Sequence, residues 1–193
     1  MVEAAAWAAQ SGLVGHEGMS FLFRDRVPPP PAGWREAFRI PTLQLVAGDL
    51  APASELSVGR LAEADADEML ALTRLTEPGP FLRRTWELGT YVGVREQGRL
   101  VAMAGERFRL PGWTEVSAVC THPDARRRGL GAALSLWVAR HIRERGDEAF
   151  LHVVETNENA LRLYEAIGFK VRRTLDVVGA QWLGESATPE RSR

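Results

Sequence analysis

Apolar and polar positions alternate with two different periods along this chain, and the longest regular stretch is helical. Leu130, Ala133, Leu134, Trp137, Val138, His141 and Ile142 fall at i, i+3, i+4, i+7, i+8, i+11 and i+12, the spacing of one helical face. No proline interrupts between Gly131 and Gly146, and Gly146 ends the run with arginines in the last turn, as the helix dipole favours. Before it, Trp113–Thr121 reads as an apolar strand. After it come a strand over Ala149–Glu155, a helix over Asn157–Ile167 closed by Gly168, and a final strand over Phe169–Val178. Upstream, Leu56–Arg60 reads as a short strand, and a helix runs through Leu75 with Asp65 or Asp67 as its cap. Phe81–Leu88 is a second short helix or turn. Thr90–Val94 and Leu100–Glu106 form a hairpin about Gln97-Gly98, followed by a turn over Phe108–Gly112. The predicted fold class is α/β.

The first quarter carries weaker patterns: a short helix around Ala4–Gln10, a strand at Ser20–Phe23, the rigid connector Pro28–Pro31 and a strand-like stretch over Arg39–Val46. The expected organisation is an N-terminal extension over residues 1–55, a main domain over 56–178 and a tail over 179–193.

Composition narrows the class. With 193 residues, 45% hydrophobic and 25% charged, the chain can build one sizeable core. A net charge of -1 argues against binding nucleic acid through bulk charge. Lys170 is the sole lysine and Cys120 the sole cysteine, so no intramolecular disulfide forms and the thiol reads as a buried, inert group. His16, His122, His141 and His152 lack ligand spacing, so no metal is expected. No run of about 18 apolar residues suggests a membrane span. The alanine-rich start lacks the basic region of a signal peptide, which leaves the cytoplasm as the expected compartment.

The chemistry concentrates between the strand and the long helix. Arg126-Arg-Arg-Gly-Leu-Gly131 delivers a loop to a helix N-terminus, where free N–H groups and the dipole attract anions. Gly129 and Gly131 let a ligand approach the backbone. A Walker loop would need Lys-Ser/Thr next, and the dinucleotide fingerprint would need a small residue where Leu134 stands. What fits is R-x-x-G-x-G after a strand ending in V-C-T-H-P. A second motif follows: Asn157-Glu-Asn-Ala-Leu-Arg-Leu-Tyr-Glu-Ala-Ile-Gly-Phe169, or N-x-x-A-x-x-L-Y-x-x-x-G-F. From the residues alone Asn157 caps a helix, and Ala160, Leu163, Tyr164 and Ile167 form its inward face.

Together these stretches resemble the GNAT superfamily of N-acetyltransferases, most closely its FR47-like group, over roughly Leu56–Val178, which implies a mixed and partly splayed sheet with helices on both faces. The resemblance implies acyl-CoA-dependent transfer, most simply of acetyl from acetyl-CoA to an amine by direct attack in a ternary complex. It implies that backbone groups of Arg126, Arg127, Arg128, Gly129, Leu130, Gly131 and Ala132 hold the pyrophosphate, and that Val119, Cys120 and Thr121 line the pantetheine. Asn157 and Ala160 would contact the coenzyme, and the Tyr164 hydroxyl would protonate the leaving thiolate.

The base stays open. Glu115 stands 14 residues before Gly129, the offset of the catalytic glutamate in related histone acetyltransferases. Alternation along a strand puts Glu115, Ser117, Val119 and Thr121 on one face. The competing reading is a strand-end charge, with Glu106 or a water chain serving instead. The acceptor is expected to be a small amine, an amino acid or a protein amino group. Segments Thr76–Arg84 and Arg107–Trp113 would surround it; Arg83 or Arg84 could hold a carboxylate, although the residues themselves favour a turn with solvated flanks. Neither nucleic acid nor membrane is expected as a partner, and a homodimer is left open. A non-catalytic acyl-CoA-binding module, or a nucleotide enzyme with an unusual phosphate loop, are the alternatives.

Overall fold

The computed structural model describes residues 2–52 and 56–184, in two compact units. The first comprises Met1–Leu43, Val154–Thr156 and Arg173–Arg193, the second Gln44–Val153 and Asn157–Arg172. Of the tail expected over 179–193, residues 185–193 lie outside the described residues.

In the first unit, α1 (Val2–Val14) precedes β1 (Met19–Arg24) and the start of β2 (Trp34–Ala47). β1 pairs antiparallel with the end of β8 (Phe169–Trp182), from Met19 opposite Gln181 to Arg24 opposite Asp176. The final strand thus runs past Val178 to Trp182. The reason is aromatic: Trp34 lies 5.0 Å from Trp7 and 5.3 Å from Trp182, ring centre to ring centre. With buried Ala180 these rings form the unit's core, and such pairs contribute beyond their area.

The second unit holds β3 (Gly59–Leu61), α2 (Ala66–Thr76), β4 (Tyr91–Glu96), β5 (Arg99–Leu110), β6 (Trp113–Thr121), α3 (Leu130–Glu144), β7 (Glu148–Val154) and α4 (Glu158–Ala166). β3, β4, β5 and β6 pair antiparallel in that order, and β7 joins β6 in parallel. The sheet is therefore mixed, as predicted. The β4–β5 turn forms at Gln97 (φ 50°) and Gly98 (φ 82°), the primed geometry that matches strand twist. β5 extends through Phe108–Leu110 where a turn was expected, because the strand absorbs an irregularity between Glu106 and Arg109. Thr85–Leu88 makes only a 3₁₀ turn. Asp65 occupies the α2 N-cap position, but its carboxylate bonds the Ala62 N–H at 2.9 Å and Arg95 at 2.5 Å.

Helices cover both faces of this sheet. Met69 and Leu72 of α2 pack with Leu61, Phe81, Tyr91, Leu100, Met103 and Cys120. α3 lies on the opposite face, where strand alternation puts Ala102 and Thr121. Its buried set is Leu130, Leu134, Ser135, Leu136, Val138, Ala139 and Ile142. Ala133, Trp137 and His141, assigned inward by spacing, are half-buried instead, with Trp137 stacked on His141 at 5.0 Å. The small Ser135 and Ala139 turn inward and bring the helix close. No helix among the described residues is long and apolar enough to cross a membrane.

Candidate functional site

The site begins with an interruption in β6. Its pairing with β7 covers Trp113–Glu115 opposite Glu148–Phe150. Val116–Thr121 and Leu151–Val154 continue beyond that register, so main-chain groups of β6 face a cleft instead of a neighbouring strand. On the β5 side, Met103 opposes Cys120 and Gly105 opposes Ser117, with a shift between them. Ala118 absorbs it at φ 52°, a left-handed conformation unusual for alanine and typical of a bulge.

The bulge corrects one expectation. An extra residue flips the alternation, so Glu115 and Ser117 do not share a face with Val119 and Thr121. A Cβ added at Gly131 would meet Val119 at 3.7 Å, Thr121 at 3.8 Å and Leu163 at 3.6 Å, which puts those side chains on the α3 side. The Cys120 side chain turns into the α2 core. Burial pushes its thiol up to about 11, outweighing a hydrogen bond with Thr76, so only its main chain is offered to the cleft.

From Thr121 the chain passes through a 3₁₀ turn at Pro123–Ala125, whose N-cap His122 accepts from the Asp124 N–H at 3.3 Å. Arg126, Arg127, Arg128 and Gly129 are exposed. Arg126 Nε donates to the Thr121 carbonyl at 3.4 Å, and both ends of the Arg128 fork bind Glu96, at 3.0 and 2.5 Å. Arg127 has no ion-pair or hydrogen-bond partner among the described residues and stands at φ 62°. Gly129, at φ 75°, is the N-cap of α3, and no side chain caps the helix. The first-turn N–H groups of Leu130, Gly131 and Ala132 therefore point outward unsatisfied. A Cβ at Gly129 would meet nothing within 4 Å. Such a cradle of backbone donors could hold an anion.

α4 borders the same cleft. Asn157 caps it, its Oδ1 accepting from the Ala160 N–H at 3.1 Å, as the sequence suggests. Tyr164 is buried, its ring 6.0 Å from Phe169. Its hydroxyl makes no hydrogen bond among the described residues. Burial raises its pKa, with the charges of Cys120 and Glu115 adding to the effect, so the phenol keeps its proton at neutral pH. Tyr91, from β4, is a second buried phenol whose hydroxyl finds no partner among the described residues, and the charges of Arg107, Glu115 and Glu106 act on it.

Glu115 is not a strand-end charge. It is 1% exposed. Arg107 donates to it through Nε at 2.8 Å and Nη2 at 2.7 Å, and His152 Nδ1 lies 2.7 Å from Oε1. Burial pushes its pKa up, but the Arg107 and His152 hydrogen bonds and charges outweigh this and the net shift is downward. A carboxylate so held is a weak proton acceptor. Glu106 is equally buried and bound by Arg145 at 2.8 Å and Arg109 at 3.6 Å.

Strand periodicity hides what His152 does here. Arg172 Nη1 donates to Gln44 Oε1 at 2.6 Å, which fixes the amide and turns Gln44 Nε2 towards His152 Nε2 at 3.2 Å. His152 thereby joins Gln44 to Glu115 through its two ring nitrogens. The signal in sequence was a histidine two residues past Phe150, the partner of Glu115 across the closed end of the strands. Arg83 and Arg84, the candidates to hold a carboxylate, already bind Asp67 and Glu87. Among the described residues no cluster of His, Cys, Asp and Glu is arranged to hold a metal ion.

Residues 91–178 match the model of the family described as FR47-like protein. A crystal structure of a putative GNAT-family acetyltransferase from Novosphingobium aromaticivorans is 41% identical, with a TM-score of 0.82 over 90% of this chain and 79% of that one. A mycothiol acetyltransferase from Thermomonospora curvata is 38% identical over 91 residues, 47% of this chain and 30% of that protein. Another from Thermobispora bispora is 48% identical over 65 residues, 33% of this chain and 22% of its own length. The matched stretch is thus less than a third of these two curated relatives.

Proposed function

Because the chain belongs to the GNAT family of acetyltransferases, we propose that it moves an acetyl group from acetyl-CoA to a primary amine by direct attack in a ternary complex. The observation that carries this reading is the departure of β6 from β7 beside the uncapped N-terminus of α3. Donors arranged in advance, with no protein partner, suit a ligand that brings both a pyrophosphate and amides.

In this reading the backbone from Arg126 to Ala132 and the Arg127 guanidinium hold the pyrophosphate. The main chain of Val119, Cys120 and Thr121 pairs with pantetheine as a neighbouring strand would, and the Val119 N–H polarises the acyl carbonyl. Asn157 and Ala160 border the coenzyme. The amine nitrogen bonds to the carbonyl carbon as the carbon–sulfur bond breaks, and Tyr164 gives its proton to the departing thiolate. The proton lost by the amine leaves through a chain of water molecules, since His152 Nε2 already faces the Gln44 amide. Glu115, held by Arg107 and His152, stays ionised as a fixed negative charge. This revises the direct-base role suggested by the offset to Gly129. The acceptor is a small amine, an amino acid or a protein amino group, and the cytoplasm is the proposed compartment.

Calorimetric titration with acetyl-CoA, CoA, ATP and NAD, followed by thiol release across an amine panel, tests this function. Tight binding of acetyl-CoA and CoA with turnover on an amine is expected. Binding of ATP or NAD in their place would overturn it.

A further inference from the structure

A cavity of about 250 Å³ is lined by Gln44, Val46, Leu110, Trp113, Phe150 and Arg172, all within the second unit. Its walls are apolar and aromatic: Trp113 meets Phe150 edge to face at 6.4 Å. Trp113 and Leu110 remain 39% and 56% exposed, so the rim offers uncovered apolar surface. Concave sites with aromatic walls and a few fixed polar groups are the usual form of a small-molecule site.

The polar group here is Arg172. Other guanidinium groups of this unit already hold carboxylates: Arg107 on Glu115, Arg145 on Glu106, Arg128 on Glu96, Arg83 on Asp67 and Arg84 on Glu87. Arg172 pairs with no acid among the described residues. Its one bond, to Gln44 Oε1, is to a neutral oxygen and leaves most of a five-donor fork open. Through Gln44 and His152 it stands three hydrogen bonds from Glu115. Glu115 in turn acts electrostatically on Tyr164.

Position completes the case. Trp113 and Phe150 stand where β6 and β7 are still paired, and the α3 cradle follows the opposite end of β6. A donor lying along β6 from that cradle leaves the Trp113 end for the incoming amine. We infer that this cavity is the acceptor subsite and receives an amine bearing both a carboxylate and an apolar group. The carboxylate binds Arg172, and the apolar group lies among Leu110, Trp113 and Phe150. This inference rests on the transferase reading above. A carboxylate on a hydrophobic amino acid and an acidic residue in a short peptide share the required chemistry.

The test compares L-phenylalanine and L-leucine with their amides, and a glutamate-containing tetrapeptide amide with its glutamine counterpart, as acceptors. The carboxylate member of one pair is expected to have a kcat/KM about tenfold higher or more, the size of a charge-assisted hydrogen bond. Arg172→Gln should abolish that preference through KM, and Arg172→Lys should restore part of it. As a binding readout without turnover, N-acetyl-L-phenylalanine and its amide are titrated into the CoA-saturated protein, where the acid should bind more tightly. Equal values within every pair, or a preference unchanged in Arg172→Gln, overturns the inference. If acetyl-CoA itself fails to bind, the transferase reading falls and this one with it. If acetyl-CoA binds and the carboxylate preference is absent, only the subsite is lost.

Discussion

At its Thr121 end β6 leads into exposed arginines, an uncapped helix and a glycine whose missing side chain faces open space. Toward its Trp113 end the same strand carries Glu115, fully buried and held by Arg107 and His152. One end presents unsatisfied main-chain donors, and the other satisfies every charge it buries. The difference follows from the task. An anion arriving from water is met cheaply by backbone dipoles, which cost no desolvated charge while they wait. A buried carboxylate persists only when it is paired.

Glu115→Gln is the strongest way to break this comparison. It removes the charge that Arg107 and His152 bind, and removing one member of a buried pair costs about 3–5 kcal/mol. In a chain of this size that is a fall in melting temperature of roughly 10 °C. Because the native pKa of Glu115 is depressed, its contribution is present above the ordinary value of 4.5 and is lost as pH falls through the native value. The gap in melting temperature between wild type and variant should therefore narrow as pH is lowered from 7 past that point. An unchanged melting temperature would return Glu115 to the role of a free base.

Tyr164→Phe comes next, with an expected drop in kcat of about 100-fold and little change in acetyl-CoA affinity. The hydroxyl has no protein partner to lose, so melting should hardly move. Equal kcat in the variant would remove Tyr164 from the chemistry.

These residues also mark where the sequence was legible. The cradle lies within one local run, Arg126–Ala132, and its chemistry depends on backbone at a helix start, which spacing reveals. Asn157 and Tyr164 were equally local. The Arg107–Glu115–His152–Gln44–Arg172 network was not, because it draws on five strands brought side by side only by folding. Spacing could not show that Glu115 is clamped, that His152 is its partner, or that Arg83 and Arg84 are already taken. Alternation also failed at Ala118, since a bulge is set by pairing with β5 and leaves no mark in composition. The length of β8 was missed for a similar reason: Trp182 is held by Trp34, a contact remote in sequence.

A smaller effect separates backbone strain from ligand space. Gly129 and Gly146 flank α3 at φ 75° and 89°, and a Cβ at either meets nothing within 4 Å. Alanine at each should cost about 1 kcal/mol from the left-handed conformation. Only Gly129→Ala should also weaken acetyl-CoA binding, because its methyl stands where the pyrophosphate is proposed to lie. Equal affinities in the two variants would move the phosphate site elsewhere.

The finest distinction concerns two adjacent arginines. Arg128 is joined to Glu96 in an exposed pair, which solvent screens, and its fork is already engaged. Arg127 has no such partner and bears left-handed backbone at φ 62°, which glycine accommodates without strain. Arg127→Gly therefore removes a free charge while relieving the backbone, so stability should stay within about 0.5 kcal/mol. Acetyl-CoA affinity should fall several-fold, and the loss should shrink as salt screens the exposed charge. Arg128→Ala should alter affinity less, since the charge it removes is already balanced. Calorimetry at low and high salt on both variants decides it. If Arg128 proved the stronger determinant, Glu96 would have to release it on binding, and Glu96→Gln would then tighten acetyl-CoA.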